Sequence, residues 1–131
     1  MIQKRTKSVH FNARLPRAVA DRLKEYASRR RLTASAAAVE LLDEALRMER
    51  FPGIDFRWTP GGRRAHVTGT GLAAWELHMI WRDHKGDLRK ALAHYPHLRA
   101  EQVQTAAAYI REHPEEIPDL RPPAYVSTVR A

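Results

Sequence analysis

Ser8-Val9-His10-Phe11-Asn12-Ala13-Arg14-Leu15-Pro16-Arg17 is the stretch on which the reading of this chain turns. Val9, Phe11, Ala13 and Leu15 alternate with Ser8, His10, Asn12 and Arg14, which is the period of a strand with one apolar and one polar face. The polar face carries specific chemistry. An amide and a guanidinium two residues apart can hydrogen-bond adenine and guanine edges in the major groove of DNA, which is wide enough to admit a two-stranded ribbon.

Pro16 suits the first turn of a helix, where its missing N–H has no intrahelical partner to lose. From Pro16 to about Arg29 the apolar residues Val19, Leu23, Tyr26 and Ala27 recur at helical spacing. Arg29-Arg30-Arg31 interrupts that pattern. Thr33 or Ser35 then caps a second helix, in which Val39, Leu42, Ala45 and Leu46 form one stripe.

One strand and two helices in residues 1–48 leave backbone groups unpaired and too little apolar surface to stand alone. Pairing two copies, strand against antiparallel strand, satisfies both needs. The expected dimer core is Val9, Phe11, Ala13 and Leu15 with Val19, Leu23, Leu42 and Leu46. The outward residues His10, Asn12 and Arg14 are then presented twice about a two-fold axis, which predicts a pseudo-palindromic double-stranded target.

The charge is located as this reading requires. The chain has 131 residues with 23 Lys and Arg against 15 Asp and Glu. Ten of the basic residues lie in residues 1–31 with only Asp21 and Glu25 to oppose them, so the whole +8 excess sits there. Lys4, Arg5, Lys7, Arg17 and Arg29 to Arg31 are the expected contacts to a nucleic-acid backbone, giving affinity without sequence information; Ser8 joins them from the polar face. The absence of cysteine excludes disulfides, thiolate metal sites and cysteine nucleophiles. No apolar run approaches the roughly 18 residues of a membrane span, and no signal peptide follows the basic start, so no membrane is expected and the expected location is cytoplasmic, at the nucleoid.

His10-Phe11-Asn12-Ala13-Arg14-Leu15-Pro16-Arg17, followed by helix, short turn and a helix opening at Thr33-Ala34-Ser35, resembles the Arc-type ribbon-helix-helix repressors. The resemblance implies that His10, Asn12 and Arg14 are the base-reading residues, with His10 in place of the glutamine of Arc. It also implies a phosphate anchor at Thr33, Ala34 and Ser35, where free N–H groups meet the positive end of the helix dipole.

After a linker at 49–53, Ile54, Phe56 and Trp58 alternate with Asp55 and Arg57, Thr59-Pro60-Gly61-Gly62 turns the chain, and Arg64 to Val67 return it as a β-hairpin. Three amphipathic segments follow, near Leu72 to His84, Asp87 to His94 and Arg99 to Glu112. Thr70 is the expected cap of the first, and Gly86-Asp87 stops that helix and caps the second. Trp75, Ile80, Trp81, Leu88, Leu92, Val103, Ala106 and Ile110 read as core. Gly69 and Gly71 do not make a phosphate loop, because Gly71 is followed by Leu72-Ala73-Ala74 rather than lysine and a hydroxyl. His78, His84, His94 and His97 lack motif spacing, so no metal and no cofactor is expected. No nucleophile with an adjacent base and no paired acids appear, so an enzyme is not expected.

The segment from Ile54 to Tyr109, with Gly69-Thr70-Gly71 before its first helix and Tyr95-Pro96-His97-Leu98-Arg99-Ala100-Glu101-Gln102-Val103 leading to Ala106-Ala107-Ala108-Tyr109, is similar to a family of short winged-helix antitoxins. That family was first catalogued as a domain of unknown function, and its genes commonly adjoin small PIN-like ribonuclease toxins, as in VapB and VapC pairs. Gly71 stands where members often have a basic or branched residue. The expected architecture is mainly α with small β: an intertwined ribbon-helix-helix dimer at 1–48, a hairpin plus three-helix, winged-helix-like domain at 54–113, and a Pro-rich tail at 114–131. The resemblance implies an antitoxin that represses its own operon and binds a small toxin protein. A stand-alone regulator whose second domain binds an effector or extends the oligomer is the alternative. Ile117, Leu120, Tyr125 and Val126, spaced along a tail that cannot pack on itself, are the candidate toxin anchors.

Overall fold

The computed structural model describes residues 7–118. The protein is mostly helical, with five α-helices and one two-stranded antiparallel sheet among the described residues. It divides into two compact units after Asp43.

In the first unit, residues 7–16 have no regular secondary structure and are exposed. The expected strand is therefore not formed within one chain, since no strand among the described residues lies beside it to complete a ladder. Helix α1 (Arg17–Arg30) begins directly after Pro16, whose carbonyl accepts from the Ala20 N–H at 3.0 Å. It ends at Arg31, which adopts the left-handed conformation (φ 57°) while Leu32 N–H returns to the Ala27 carbonyl at 2.9 Å. A non-glycine residue in that conformation carries a cost of about 1 kcal/mol. Helix α2 (Ala34–Arg50) is capped by Thr33, whose Oγ1 accepts from the Ala36 N–H at 3.1 Å.

The expected linker at 49–53 is packed structure instead. Helix α2 runs to Arg50, Phe51 is buried in the core of the second unit, and the Gly53 carbonyl accepts from Thr68 N–H at 2.8 Å. The apolar character of Phe51 outweighs the Pro-Gly signal that follows it.

The second unit opens with the hairpin β1 (Ile54–Thr59) and β2 (Gly62–Val67), in which Ile54 pairs with Val67, Phe56 with Ala65 and Thr59 with Gly62. Gly62 takes φ 106°, a conformation that suits glycine at this tight corner. Thr59 Oγ1 donates to the Gly62 carbonyl at 2.7 Å and closes the turn. Burial falls along β1 from Ile54 through half-buried Phe56 to Trp58, which is exposed at the hairpin end with the Arg63 guanidinium 5.3 Å from its ring centroid.

Helix α3 (Ala74–Asp83) starts later than the sequence pattern suggests, and Thr70 does not cap it. Thr70 Oγ1 instead donates to the Val67 carbonyl at 2.7 Å and accepts from Leu72 N–H at 3.0 Å. Val67 N–H also bonds the Leu72 carbonyl at 3.1 Å, which delays the helix; Glu76 then supplies the cap, accepting from Ala73 N–H at 2.9 Å. Helix α4 (Leu88–His94) is capped by Asp87, whose Oδ1 accepts from Lys90 N–H at 3.2 Å. Helix α5 (Ala100–Glu112) is entered by the same device as α3, with Gln102 Oε1 accepting from Arg99 N–H at 2.9 Å.

Helices α3 and α5 pack together beside the hairpin. The buried centre comprises Ile54, Val67, Leu77, Val103, Ala106, Tyr109 and Ile110, while Trp75, Ile80, Trp81, Leu88 and Leu92 are only partly buried around it.

The first residues of the expected free tail also pack. Pro114–Glu116 form a 3-10 turn, Ile117 is half-buried against the core, and Glu116 accepts from Tyr109 Oη at 2.5 Å and from Arg47 Nη1 at 3.1 Å. Arg47 Nη1 in turn donates to Tyr109 Oη at 2.9 Å. Burial and the Glu116 hydrogen bond push the Tyr109 phenol well above its ordinary pKa, so it remains a neutral donor. Tyr109→Phe removes the centre of this network and is expected to cost about 1 to 3 kcal/mol in urea unfolding of the full chain.

Candidate nucleic-acid interface

His10, Asn12 and Arg14 all lie in the exposed arm that precedes α1, and so do Lys7 and Ser8. Lys4 and Arg5 lie outside the described residues. The apolar set expected to alternate with the readers is equally exposed within one chain: Val9 at 87%, Phe11 at 80% and Leu15 at 48%. Val19, Leu42 and Leu46 on the two helices are exposed as well, Ala13 with them, and Leu23 is half-buried. None of these eight residues is core within a single chain. The physical reason is size: in the first unit only Ala27 and Ala37 are buried among the described residues, and two methyl groups do not make a core.

The two helices of this unit are held by a polar cluster at Glu40. Its Oε1 accepts from Tyr26 Oη at 2.6 Å and from Arg30 Nε at 3.2 Å, and its Oε2 accepts from Arg30 Nη2 at 2.6 Å. Hydrogen bonding with Tyr26 and with Glu40 raises the Arg30 guanidinium above its ordinary pKa. Arg30, expected to contact the nucleic-acid backbone, is thus paired within the protein in the single chain. Arg29 pairs with Glu25 one turn away at 2.9 Å, with both side chains largely in solvent. Arg17 and Arg31 are exposed at the two ends of α1.

Thr33, Ala34 and Ser35 are exposed at the start of α2. Thr33 spends its hydroxyl on capping, while its carbonyl accepts from Ala37 N–H at 2.9 Å. The positive end of the helix dipole therefore faces an exposed Thr-Ala-Ser turn.

In the second unit several charges are paired. Glu44 is buried and accepts from Arg63 Nε through both oxygens, at 3.0 and 2.9 Å. Arg50 pairs with Glu112, and that pairing holds the Glu112 carboxyl below its ordinary pKa. Partial burial works to raise Asp55, but hydrogen bonds from Arg57 and Thr68 prevail and lower it. Burial lowers the His78 pKa, with Arg82 and Arg111 adding to the effect. Of the four tail positions assigned to a partner, Ile117 packs on its own unit, while Leu120, Tyr125 and Val126 lie outside the described residues.

The structure also brings together residues that sequence spacing does not connect. His84 Nε2 and His94 Nδ1 stand 2.7 Å apart. An open cavity of about 300 Å³ is lined by Thr59, Arg64, His66, Trp75, Glu76 and Pro118. The Tyr26-Arg30 spacing of one helical turn was the single sequence signal for the Glu40 cluster; the histidine pair has none, because it depends on the turn between α3 and α4.

No family model, curated protein or solved structure matches this chain. No helix among the described residues is long and apolar enough to cross a membrane.

Glu40→Ala removes an acceptor of the Tyr26 hydroxyl and of the Arg30 guanidinium in a half-buried position. It is expected to lower stability by about 1 to 3 kcal/mol, measured by thermal melting of the full chain, with Glu40→Gln recovering part of the loss.

Proposed function

We propose that this protein is a dimeric, sequence-specific DNA-binding repressor and the antitoxin of a toxin-antitoxin pair, with a PIN-like ribonuclease as its second partner. The observation that carries the DNA half is the arm at residues 7–16. Its apolar side chains Val9 and Phe11 are held in water, at 87% and 80% exposure, in strict alternation with His10, Asn12 and Arg14. Large apolar side chains on one face of an exposed arm are costly unless a partner covers them, at about 1.5 to 3 kcal/mol for each one buried. A second copy covers them by pairing arm with arm, and the polar face then enters the major groove as a ribbon.

Lys7, Ser8, Arg17, Arg31 and the Thr33-Ala34-Ser35 turn contact phosphates in this reading, with Lys4 and Arg5. The toxin is assigned to the second unit, through the winged-helix antitoxin resemblance and through the neutral balance of charge after residue 31. Leu120, Tyr125 and Val126 remain its candidate anchors. The cavity beside Trp75 and Arg64 favours a second reading, a stand-alone regulator whose second unit takes a small effector. Co-expression with the ribonuclease gene adjoining this one separates the two: a stable complex supports the antitoxin, and the lack of any such gene or complex removes it.

Binding to a duplex from the chain's own promoter tests the arm. Asn12→Ala and Arg14→Ala are expected to lose about 1 to 3 kcal/mol on that duplex and little on random DNA, whereas Lys7→Ala weakens both alike and flattens the salt dependence. Equal losses on both duplexes for Asn12→Ala remove the base-reading assignment. Phe11→Lys is expected to convert the dimer to monomer in sedimentation equilibrium; an unchanged monomeric mass in wild type and variant contradicts the paired arm.

A further inference from the structure

The turn between α3 and α4 is tight, with Lys85 at φ 56° and Gly86 at φ 75°. A side chain at Gly86 would meet the Trp81 ring at 3.3 Å, so the path of this turn is closely determined. It sets the His84 ring, just past the end of α3, against the ring of His94, the last residue of α4. His84 Nε2 lies 2.7 Å from His94 Nδ1, with ring centroids 4.9 Å apart and planes inclined by 50°. The other nitrogen of His84, Nδ1, lies 2.7 Å from the Ile80 carbonyl. A carbonyl only accepts, so Nδ1 carries the proton and Nε2 of the neutral ring presents its lone pair to His94.

We propose that His84 and His94 form a two-histidine chelate for a divalent transition-metal ion of the zinc, nickel and copper class. Two imidazole nitrogens, one just past α3 and one at the end of α4, are already held 2.7 Å apart, so little side-chain order is lost on binding. Metal–nitrogen bonds of about 2.0 to 2.1 Å place two cis ligands roughly 3 Å apart, a separation the pair reaches by opening a few tenths of an ångström. The hydrogen bond from His84 Nδ1 to Ile80 is the outer contact that orients a ligating imidazole and raises its basicity.

His94 is exposed, which leaves further coordination positions to water. Its solvent-facing Nε2 takes up a proton as Nδ1 gives one up, so the neutral pair binds the ion with no net proton released. The ion replaces one histidine–histidine hydrogen bond. Imidazole nitrogen selects this class of ion over magnesium and calcium, which prefer oxygen. Among the described residues no third His, Asp or Glu completes the group, so the site is open and exchangeable.

The test is a calorimetric titration of the tag-free full chain, stripped of metal, with Ni²⁺ and separately with Zn²⁺. One ion bound per chain is expected, with His84→Ala and His94→Ala each weakening binding about tenfold or more, and His97→Ala, an exposed histidine of the next turn, leaving it unchanged. Far-UV circular dichroism of His94→Ala, with His94→Gln as the second variant, establishes that the fold is kept. In long-range ¹H–¹⁵N spectra of the wild type, Zn²⁺ should move the His94 proton from Nδ1 to Nε2. Equal affinity in wild type and His94 variants, or no saturable binding up to millimolar metal, overturns the proposal.

Discussion

The constraint on which the rest depends is that the first unit cannot bury its own apolar side chains. Its helices are joined by Glu40, Tyr26 and Arg30, a polar clasp, and its buried apolar residues are two alanines among those described. Such a clasp fixes how two helices meet without supplying the burial that makes a fold stable, since a hydrogen bond to a charged group contributes about 1.5 to 3 kcal/mol while ordering each residue costs about 1 to 2. Val9, Phe11, Leu15, Val39 and Leu42 are therefore left exposed by the single chain.

The second unit buries its own apolar core. Its helices α3 and α5 and its hairpin enclose Leu77, Val103, Tyr109 and Ile110, and its polar groups are drawn into the same structure. Glu44 with Arg63 and Arg47 with Tyr109 and Glu116 fasten the end of α2 and the turn after α5 to this core. The burial of Phe51 makes the last turn of α2 part of the second unit. A sequence boundary drawn at Pro52-Gly53 therefore falls well after Asp43, where the first unit ends.

What was legible in the sequence follows the range of the interactions involved. The helices, the hairpin and the Asp87 cap are set by residues within a turn or two of one another, and periodicity and turn chemistry report them. Thr70 misled because a hydroxyl shortly before a helix looks the same whether it caps that helix or closes the preceding turn; the backbone contact of Val67 with Leu72 decides between them. A run of three arginines likewise does not disclose that Arg30 faces Glu40, ten residues on. The histidine pair and the Arg47 network depend on contacts across 10 to 69 positions, for which no local pattern exists.

The partners of the arginines sharpen the electrostatics of the proposed DNA contact. Arg29 and Glu25 are both largely in solvent, so their pair is worth about 0.3 to 0.5 kcal/mol and can be exchanged for a phosphate at little loss. Arg30 and Glu40 are mostly shielded, and drawing Arg30 away would leave the Glu40 carboxylate without its counter-charge, held only by hydrogen bonds such as that from Tyr26. A basic residue contributes to backbone affinity only if its charge is not already neutralised in the free protein. The positive excess of residues 1–31 thus overstates the phosphate footprint of each chain, and its effective part lies in the arm and at the ends of α1. In the proposed dimer that part is doubled and set beside the two ribbons that carry Asn12 and Arg14, so the charge and the base-reading side chains of that proposal occupy the same short segment.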